Sequence, residues 1–407
     1  MKKLYSFLFL FGIALSSAAQ TMRVHCGPVC TLIPAATAGD IVPSADATAL
    51  TVMGNTFHVA DIDSIVVDKT TVYTPGLVDV AYEGAKASIT VAGDVAPLLA
   101  VTVTDATVSV LQDPTLASEV TYRLHGASDN GFFGMDGEYK ATVILDNLQL
   151  ANTTQSAISI ENGKRIKIVL PEGTTSTLAD AAGGVQKACF FVNGHAEFSG
   201  AGVLNLVGNT KHAFASDEYA QFSAGFGTFN VTHAESDAMH IGQYLDARGG
   251  TFNLSGAKGD CIDVEKTKDV TDVDNGFVRI SGGTFNLDGA ADDTKGIKND
   301  STFYVTGGTI IATVSGNGAK GISAAWDMFI NQSSGNATSI KMTVSGTTYM
   351  PGDPLLESKC RGIKGKRDLT FDGGDINMTV TGAKAKGISI DGTWTYVSGT
   401  TNVMPSL

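Results

Sequence analysis

The sequence predicts an all-β protein, folded as a right-handed parallel β-helix with about 25 residues in each coil and a small β appendage at its N-terminus. Two repeated patterns indicate this fold: a glycine-led strand, and a small residue followed by an apolar one. Composition agrees, because the 407 residues include 47 glycines and only 10 prolines and are 43% hydrophobic. Such a chain favours strands and tight turns and is unlike a disordered linker protein.

The first pattern is a glycine followed by a strand of alternating character, as in RGGTFNLSG at Arg248 and SGGTFNLDG at Ser281. Apolar residues stand two and four positions after the glycine, and an asparagine stands between them in most copies. This period of two predicts a strand with one buried face, and paired glycines suit a turn with positive φ. The glycines that begin the six copies are Gly202, Gly227, Gly250, Gly283, Gly308 and Gly374.

The second pattern follows each strand and recurs at steps close to 25 residues. A strand-rich repeat of that length predicts a solenoid whose coils stack about 4.8 Å apart. The sequence does not fit leucine-rich repeats, because their LxxLxLxxN signature is missing. It does not fit a β-propeller either, because a propeller blade needs about 40 residues. The later copies are Ala213-Phe214, Ala238-Met239, Cys261-Ile262, Gly296-Ile297, Gly321-Ile322, Gly362-Ile363 and Gly387-Ile388, with weaker ones at Ala157-Ile158 and Ala188-Cys189.

The chain divides into four parts. Residues 1–19 read as a signal peptide, with Lys2-Lys3 before an apolar stretch too short to span a bilayer and a small-residue cleavage site at Ser17-Ala18-Ala19. We therefore expect an exported protein, periplasmic, surface-bound or secreted, without a lipoprotein signal or membrane insertion. Residues 20–70 form a small β region, residues 71–140 the strands that cap the β-helix, and residues 141–407 the β-helix itself.

Charge and cysteine content narrow the function further. The net charge of −13 makes nucleic acid a poor partner, since phosphates require a positive surface. Five cysteines are too few for a disulfide scaffold of this length. Cys26 and Cys30 are close enough in sequence to pair or to stay free, while Cys189, Cys261 and Cys360 lie in apolar strands and are expected to be buried thiols.

Three stretches carry a resemblance to a known family: YKATVILDNLQLAN at Tyr139, AISIENGKRIKIVLPEGTTSTLAD at Ala157, and the GGT…KGI coils. They resemble the Cthe_2159-type carbohydrate-binding family over roughly Val120 to Val397. The resemblance implies a secreted, right-handed parallel β-helix that binds pectin-like acidic polysaccharide and calcium. IDSIVVD resembles a segment of exported Bacteroidetes proteins. Related coils often carry Asp-Gly-Ile where this chain has Lys-Gly-Ile.

Two columns of charged residues follow from stacking the coils in register. The first column reads His212, Asp237, Asp260, Lys295, Lys320, Arg361 and Lys386, and the second reads Ala215, His240, Asp263, Lys298, Ser323, Lys364 and Ser389. Oxygen ligands from neighbouring coils suit calcium, which takes six to eight of them. The predicted calcium ligands are Asp237, Asp260, Asp263, Asp292 and Asp293; the alternative is a solvated acidic turn in which Asp260 pairs with Lys295.

The basic part of the columns predicts a surface for a linear polyanion. Its members are Lys295, Lys298, Lys320, Arg361, Lys364 and Lys386, and the alternative is that they pair with nearby acids and cover apolar surface with their stems. Trp326 is expected in a turn, where it either offers a platform for a sugar ring or packs against the insertion after Ile330.

The sequence favours a non-catalytic protein that binds acidic polysaccharide with the help of calcium. One alternative is a calcium-dependent polysaccharide lyase on the same fold, for which Asp260, Asp263, Asp292 and Lys295 are the candidates. Its diagnostic motifs are missing from the sequence. The other alternative is a structural or adhesive rod at the cell surface.

Overall fold

The chain folds as a parallel β-helix, as predicted. A computed structural model describes residues 20–267, 271–352 and 357–405, so the signal peptide assigned to residues 1–19 lies outside it. Within that part of the chain the only helices are two short 3-10 helices, Val59–Asp61 and Ala96–Leu98. No helix there has the length and apolar character needed to cross a membrane.

The strands are numbered in chain order. The first twenty are β1 Thr21–Cys26, β2 Val29–Pro34, β3 Val42–Pro43, β4 Ala49–Val52, β5 Asn55–His58, β6 Ser64–Asp68, β7 Leu77–Glu83, β8 Lys86–Ala92, β9 Leu99–Thr104, β10 Thr107–Gln112, β11 Val120–Ser128, β12 Phe132–Asp136, β13 Ala141–Ala151, β14 Ile158–Ile160, β15 Arg165–Val169, β16 Thr175–Ala179, β17 Ala188–Val192, β18 His195–Ser199, β19 Val203–Gly208 and β20 His212–Ser216. The others are β21 Ala220–Phe222, β22 Thr228–Ala234, β23 Met239–Ile241, β24 Leu245–Ala247, β25 Thr251–Leu254, β26 Ile262–Val264, β27 Val278–Ile280, β28 Thr284–Gly289, β29 Lys295–Asn299, β30 Phe303–Val305, β31 Gly308–Val314, β32 Lys320–Ala324, β33 Met328–Asn331, β34 Thr338–Val344, β35 Thr348–Tyr349, β36 Ser358–Lys359, β37 Arg361–Gly365, β38 Leu369–Val380, β39 Lys386–Ile390 and β40 Trp394–Pro405.

Each complete coil contributes one strand to each of three faces. The first face is a 12-stranded sheet that runs β9, β10, β12, β14, β17, β20, β23, β26, β29, β32, β37 and β39, parallel from β10 onward. The second face continues from β13 through β15, β18, β21, β24, β27, β30 and β33 to β38 and β40. The third face runs from β13 through β16, β19, β22, β25, β28, β31 and β34 to the same long strands. This stacking places equivalent residues of successive coils directly beside one another.

The N-terminal strands attach to the beginning of this stack. β1 and β2 form an antiparallel hairpin, β6 pairs with β1, and β2 pairs in parallel with β8. β3, β4 and β5 form a separate small antiparallel sheet. The division of the chain at residue 70 stays a prediction.

The register confirms most of the predicted anchors and corrects one. Gly250, Gly283, Gly308 and Gly374 have φ between 93° and 95°, as expected for the turn before the strand. At Gly283 a Cβ atom would lie 2.8 Å from the carbonyl oxygen of Gly250, so the close approach of coils also requires glycine there. The correction concerns β17, where Phe190 is beside Phe214. The anchor is therefore Cys189-Phe190, one residue later than predicted.

Aromatic rings fill the middle of the solenoid. Phe252 is fully buried, and its ring lies parallel to that of Phe285 at a centroid distance of 4.5 Å. It meets Phe222 edge to face at 4.8 Å. These rings occupy the apolar position two residues after the glycine, or its equivalent on the second face, so the alternation read from the sequence produces a continuous core.

The asparagines of the third face form the predicted column. Asn230 donates to Asn205 at 2.8 Å, Asn253 to Asn230 at 2.8 Å, and Asn286 to Asn253 at 2.7 Å. Each side chain is half-buried. The amides therefore satisfy one another along the stack, as in other cross-β amide ladders.

Asn253→Ala is expected to lower the free energy of unfolding by about 1–3 kcal/mol, because it removes two side-chain hydrogen bonds and leaves their partners half-buried. Denaturant unfolding measures the change. The control is Asn377→Ala, an exposed member of the same column beside Lys341. Equal losses for the two variants would contradict a stabilising amide ladder.

All five cysteines are free thiols. Cys189, Cys261 and Cys360 are buried, as predicted. The hairpin register places Cys26 opposite Val29 and Cys30 opposite His25, so the two N-terminal cysteines face opposite sides of the sheet. That geometry rules out the pairing of Cys26 with Cys30 that their spacing left open.

Candidate functional site

The two charge columns lie side by side on the first face, in the predicted order. β29, β32, β37 and β39 stack Lys295, Lys320, Arg361 and Lys386 in turn. The second column continues from Ala215 through His240, Asp263, Lys298, Ser323 and Lys364 to Ser389. Residues far apart in the chain therefore form one strip, acidic at one end and basic at the other.

The acidic end is a compact group of buried carboxylates. Asp237, Asp260 and Asp263 are only 5–8% exposed, and each offers an oxygen within 4.8 Å of the others. Such a group could hold a metal ion. Asp292 and Asp293 are absent from every group of three potential ligands found among the described residues. Asp292 instead accepts the backbone N–H of Asn317 at 2.9 Å.

Each carboxylate in this group also bonds to a residue of the next coil. One oxygen of Asp237 accepts the N–H of Asp260 at 2.7 Å, and one oxygen of Asp260 accepts the N–H of Lys295 at 2.7 Å. Asp263 binds the Lys298 ammonium at 2.8 Å. The second oxygen of Asp237 faces the imidazoles of His212 and His240, and that of Asp263 faces His240, so an ion would share these oxygens with the imidazoles. With one oxygen from each carboxylate, the chain alone would supply about half of the six to eight oxygens that calcium takes.

Burial and crowding perturb the titration of this group. Burial, helped by the neighbouring carboxylates Asp237 and Asp263, raises the pKa of Asp260 to about 7. For Asp237, burial alone would raise the pKa, but the imidazoles of His212 and His240 beside its carboxylate hold it well below its usual range. For His240, burial alone would lower the pKa, but Asp237 and Asp263 raise it to about 9. The group thus keeps negative charge at Asp237 and a positive charge beside it.

Asp260→Asn is expected to stabilise chelator-treated protein at pH 8 by roughly 1–4 kcal/mol and to change little at pH 4. The folded pKa of about 7 lies above the ordinary 3.8, so the stability gained from the protonated carboxyl is lost as pH rises through 7. Asparagine mimics that protonated form at every pH.

Thermal unfolding across this pH range measures the effect. The control is Asp129→Asn, which alters an exposed carboxylate. An Asp260→Asn variant that unfolds like the wild-type protein at both pH values would contradict the buried, partly protonated carboxyl.

Most cations at the basic end of the strip, which we call the basic strip, form ion pairs within the protein. Asp293 lies 3.1 Å from the Lys295 ammonium and 3.4 Å from that of Lys320, and its oxygen accepts the Ser358 hydroxyl at 2.6 Å. Burial lowers the pKa of Lys320. Asp293 was predicted as a metal ligand, but here it neutralises two lysines. The alternative of paired surface lysines therefore describes this part of the strip.

The other basic residues differ in how accessible they are. Arg361 is 8% exposed and donates to the carbonyl oxygens of Cys360 and Lys384 at 2.7 and 3.2 Å. Lys364 pairs with Asp391. Lys386 is exposed and makes no ion pair within the described residues. Arg361 thus supports the turns, whereas Lys386 presents its charge to solvent.

Trp326 lies in the turn after β32, and its side chain is 43% exposed. The Lys266 ammonium lies 4.8 Å from the ring centroid and the Arg367 guanidinium 5.4 Å from it. This placement favours the platform over packing against the insertion after Ile330. The indole and the two cations form a group that we call the tryptophan platform.

Several residues of the site were missed from sequence. Lys266 and Arg367 follow the ends of β26 and β37, in the same turn as Trp326 but in other coils. Glu265 directly follows β26, and its carboxylate lies 3.9 Å from His240 in the preceding coil. Comparing the first two residues after each of these strands, coil by coil, would have found all three.

A family model and a solved structure match the chain. A family model described as carbohydrate-binding domain-containing protein matches residues 104–403. Among solved structures, the chain is similar to the polysaccharide lyase-like protein from C. thermocellum, solved as a gadolinium derivative. That match has 16% sequence identity and a TM-score of 0.44 and covers 81% of this chain and 99% of the other. No curated protein matches the chain.

Proposed function

Since the chain belongs to the carbohydrate-binding domain-containing protein family, we propose that it binds acidic, uronic-acid polysaccharide on the first face without cleaving it. The observation that carries this proposal is the tryptophan platform, where an exposed indole has two cations over its ring. An indole face stacks against the C–H groups of a sugar ring, and a cation within reach suits the carboxylate of a uronate.

The basic strip supports the same ligand in a secondary way. Lys298 is one-third exposed, Lys386 is exposed, and both lie on the sheet that contains β32, the strand before the turn of Trp326. Coils about 4.8 Å apart repeat these positions along a line, as a linear polymer does. Burial would lower the pKa of Lys298, but its hydrogen bond to Asp263 raises it, so this lysine stays charged at neutral pH.

Calcium dependence is part of the proposal. Asp237, Asp260 and Asp263 would hold the ion through their remaining oxygens, and water or polysaccharide carboxylates would complete its shell. The ion would neutralise the carboxylates that crowd this end of the strip. Export through residues 1–19 belongs to the same proposal, because it would bring the protein to the polysaccharide.

Co-sedimentation tests this function. Mature protein is mixed with insoluble, cross-linked polygalacturonate or with a neutral polymer, in calcium or in chelator, while ultraviolet absorbance reports unsaturated products. The proposal predicts calcium-dependent pelleting with the acidic polymer alone and flat absorbance. Rising absorbance would identify a lyase instead. Failure to pellet with either polymer would contradict polysaccharide binding and favour the structural or adhesive rod.

A further inference from the structure

Two imidazoles converge on one carboxylate oxygen at the acidic end of the strip. The Nδ1 atoms of His212 and His240 lie 3.1 and 3.4 Å from the same Oδ2 of Asp237. Their rings are nearly parallel, with an interplanar angle of 18° and centroids 4.3 Å apart. The register explains the meeting, because His212 and Asp237 occupy successive coils of the first column and His240 stands beside Asp237 in the second.

Hydrogen bonding within the described part of the protein leaves one buried nitrogen of each imidazole without a partner. His212 is 2% exposed, and its Nε2 is buried without a hydrogen-bond partner among the described residues. Its Nδ1 accepts the N–H of Asp237 at 3.3 Å, so the same nitrogen faces both a donor and a carboxylate oxygen. The buried Nδ1 of His240 makes no hydrogen bond there and has only long contacts, 3.4 Å to Oδ2 of Asp237 and 3.6 Å to Oδ2 of Asp263. Buried polar atoms of native proteins seldom stay unsatisfied, and a cation shared with Asp237 would satisfy this nitrogen.

The spacing of these atoms fits the shell of a first-row divalent ion. Zinc binds imidazole nitrogen and carboxylate oxygen at about 2.0–2.2 Å, which separates tetrahedral ligands by roughly 3.3–3.5 Å. The two measured separations to Asp237 Oδ2 are close to that value, and all three donor atoms lie within 4.8 Å of one another. Nitrogen donors also favour zinc, copper, iron or nickel over calcium, which selects oxygen.

The surroundings of His240 are those of a supported ligand. The Glu265 carboxylate lies 3.9 Å from its Nε2, on the side away from Asp237. In metal sites a carboxylate at that position fixes the orientation of the ligating ring. The side chains of His240 and Glu265 are 22% and 33% exposed, so an ion can reach the group from solvent.

We propose that His212, Asp237 and His240 bind one first-row divalent transition ion, for which Zn²⁺ is the test ion. The three protein ligands leave a further coordination position to water or to an oxygen of a bound sugar. The site goes beyond the proposed polysaccharide binding and does not depend on it. Because Asp237 belongs to both ligand groups, we expect Zn²⁺ to compete with calcium.

Metal titration without polysaccharide tests the site, which keeps its outcome separate from that of the proposed function. Chelator-treated, tag-free protein is titrated with Zn²⁺ by calorimetry and with Co²⁺ by visible absorption. We expect one ion per chain and the intense d–d bands of low-coordinate Co²⁺. His240→Gln and Asp237→Asn should each weaken Zn²⁺ binding at least tenfold, and circular dichroism should show that both variants fold.

The matched control is His233→Gln, which removes a half-exposed histidine paired with Glu235 at 3.1 Å outside the cluster. It should bind Zn²⁺ like the wild-type protein. The site is refuted if wild-type protein binds no stoichiometric ion, if His240→Gln retains full affinity, or if His233→Gln loses as much as the cluster variants. Preference of the wild-type protein for Ca²⁺ over Zn²⁺ would also refute it.

Discussion

Phe252→Ala is expected to lower the free energy of unfolding by about 3–5 kcal/mol, the largest effect of any single substitution considered for this protein. The ring is fully buried between coils, parallel to Phe285 and edge to face with Phe222. Alanine would leave a cavity that the flanking coils cannot close, because backbone hydrogen bonds hold both of them at fixed spacing.

The control is Phe329→Ala, which removes a half-buried ring that meets Tyr304 at a centroid distance of 6.0 Å. Its expected cost is below about 1.5 kcal/mol, the contribution of an aromatic pair outside the core. Denaturant unfolding of both variants gives the comparison. If both variants lost the same stability, the phenylalanine stack would not be the core of the solenoid.

Trp326→Ala is expected to weaken binding of acidic polysaccharide at least tenfold, about 1.4 kcal/mol, without changing the unfolding temperature. The side chain is 43% exposed, so its removal creates no cavity, but it takes away the surface on which a sugar ring would stack. Affinity electrophoresis in gels that contain polygalacturonate measures the loss.

Trp394→Ala is a matched control, because that tryptophan is also 43% exposed but lies on β40, beside Leu369 in the column of core residues. It should migrate like the wild-type protein. If the two tryptophan variants lost the same affinity, binding would not be centred on the tryptophan platform. If neither variant lost affinity, neither tryptophan would belong to the proposed binding surface.

The sequence alone predicted the fold because the solenoid repeats itself. Gly283, Phe285 and Asn286 each have counterparts in neighbouring coils, so a local pattern was confirmed many times along one chain. The charge columns followed from the same register. The one misplaced anchor, at Cys189, arose because a small residue precedes another small residue there, and only the neighbouring strand decides between them.

The chemistry of the site was harder to predict, because it depends on side-chain directions between coils. Asp293 adjoins the basic strip in sequence and was assigned to the metal, but its carboxylate turns to Lys295 and Lys320. Arg361 belongs to the basic column but is buried against turn carbonyls. The spacing of residues in the sequence predicts the column in which a residue stands. It does not predict which neighbouring group its side chain contacts.

Comparing one polymer in two charge states tests the binding of acidic polysaccharide most directly. Calorimetry would measure binding of polygalacturonate and of its carboxyl-reduced, neutral counterpart to the mature protein. We expect saturable binding of the acidic polymer that weakens with added salt, and at least tenfold weaker binding of the neutral one. Equal affinity for both polymers, or no binding of the acidic polymer, would contradict that expectation.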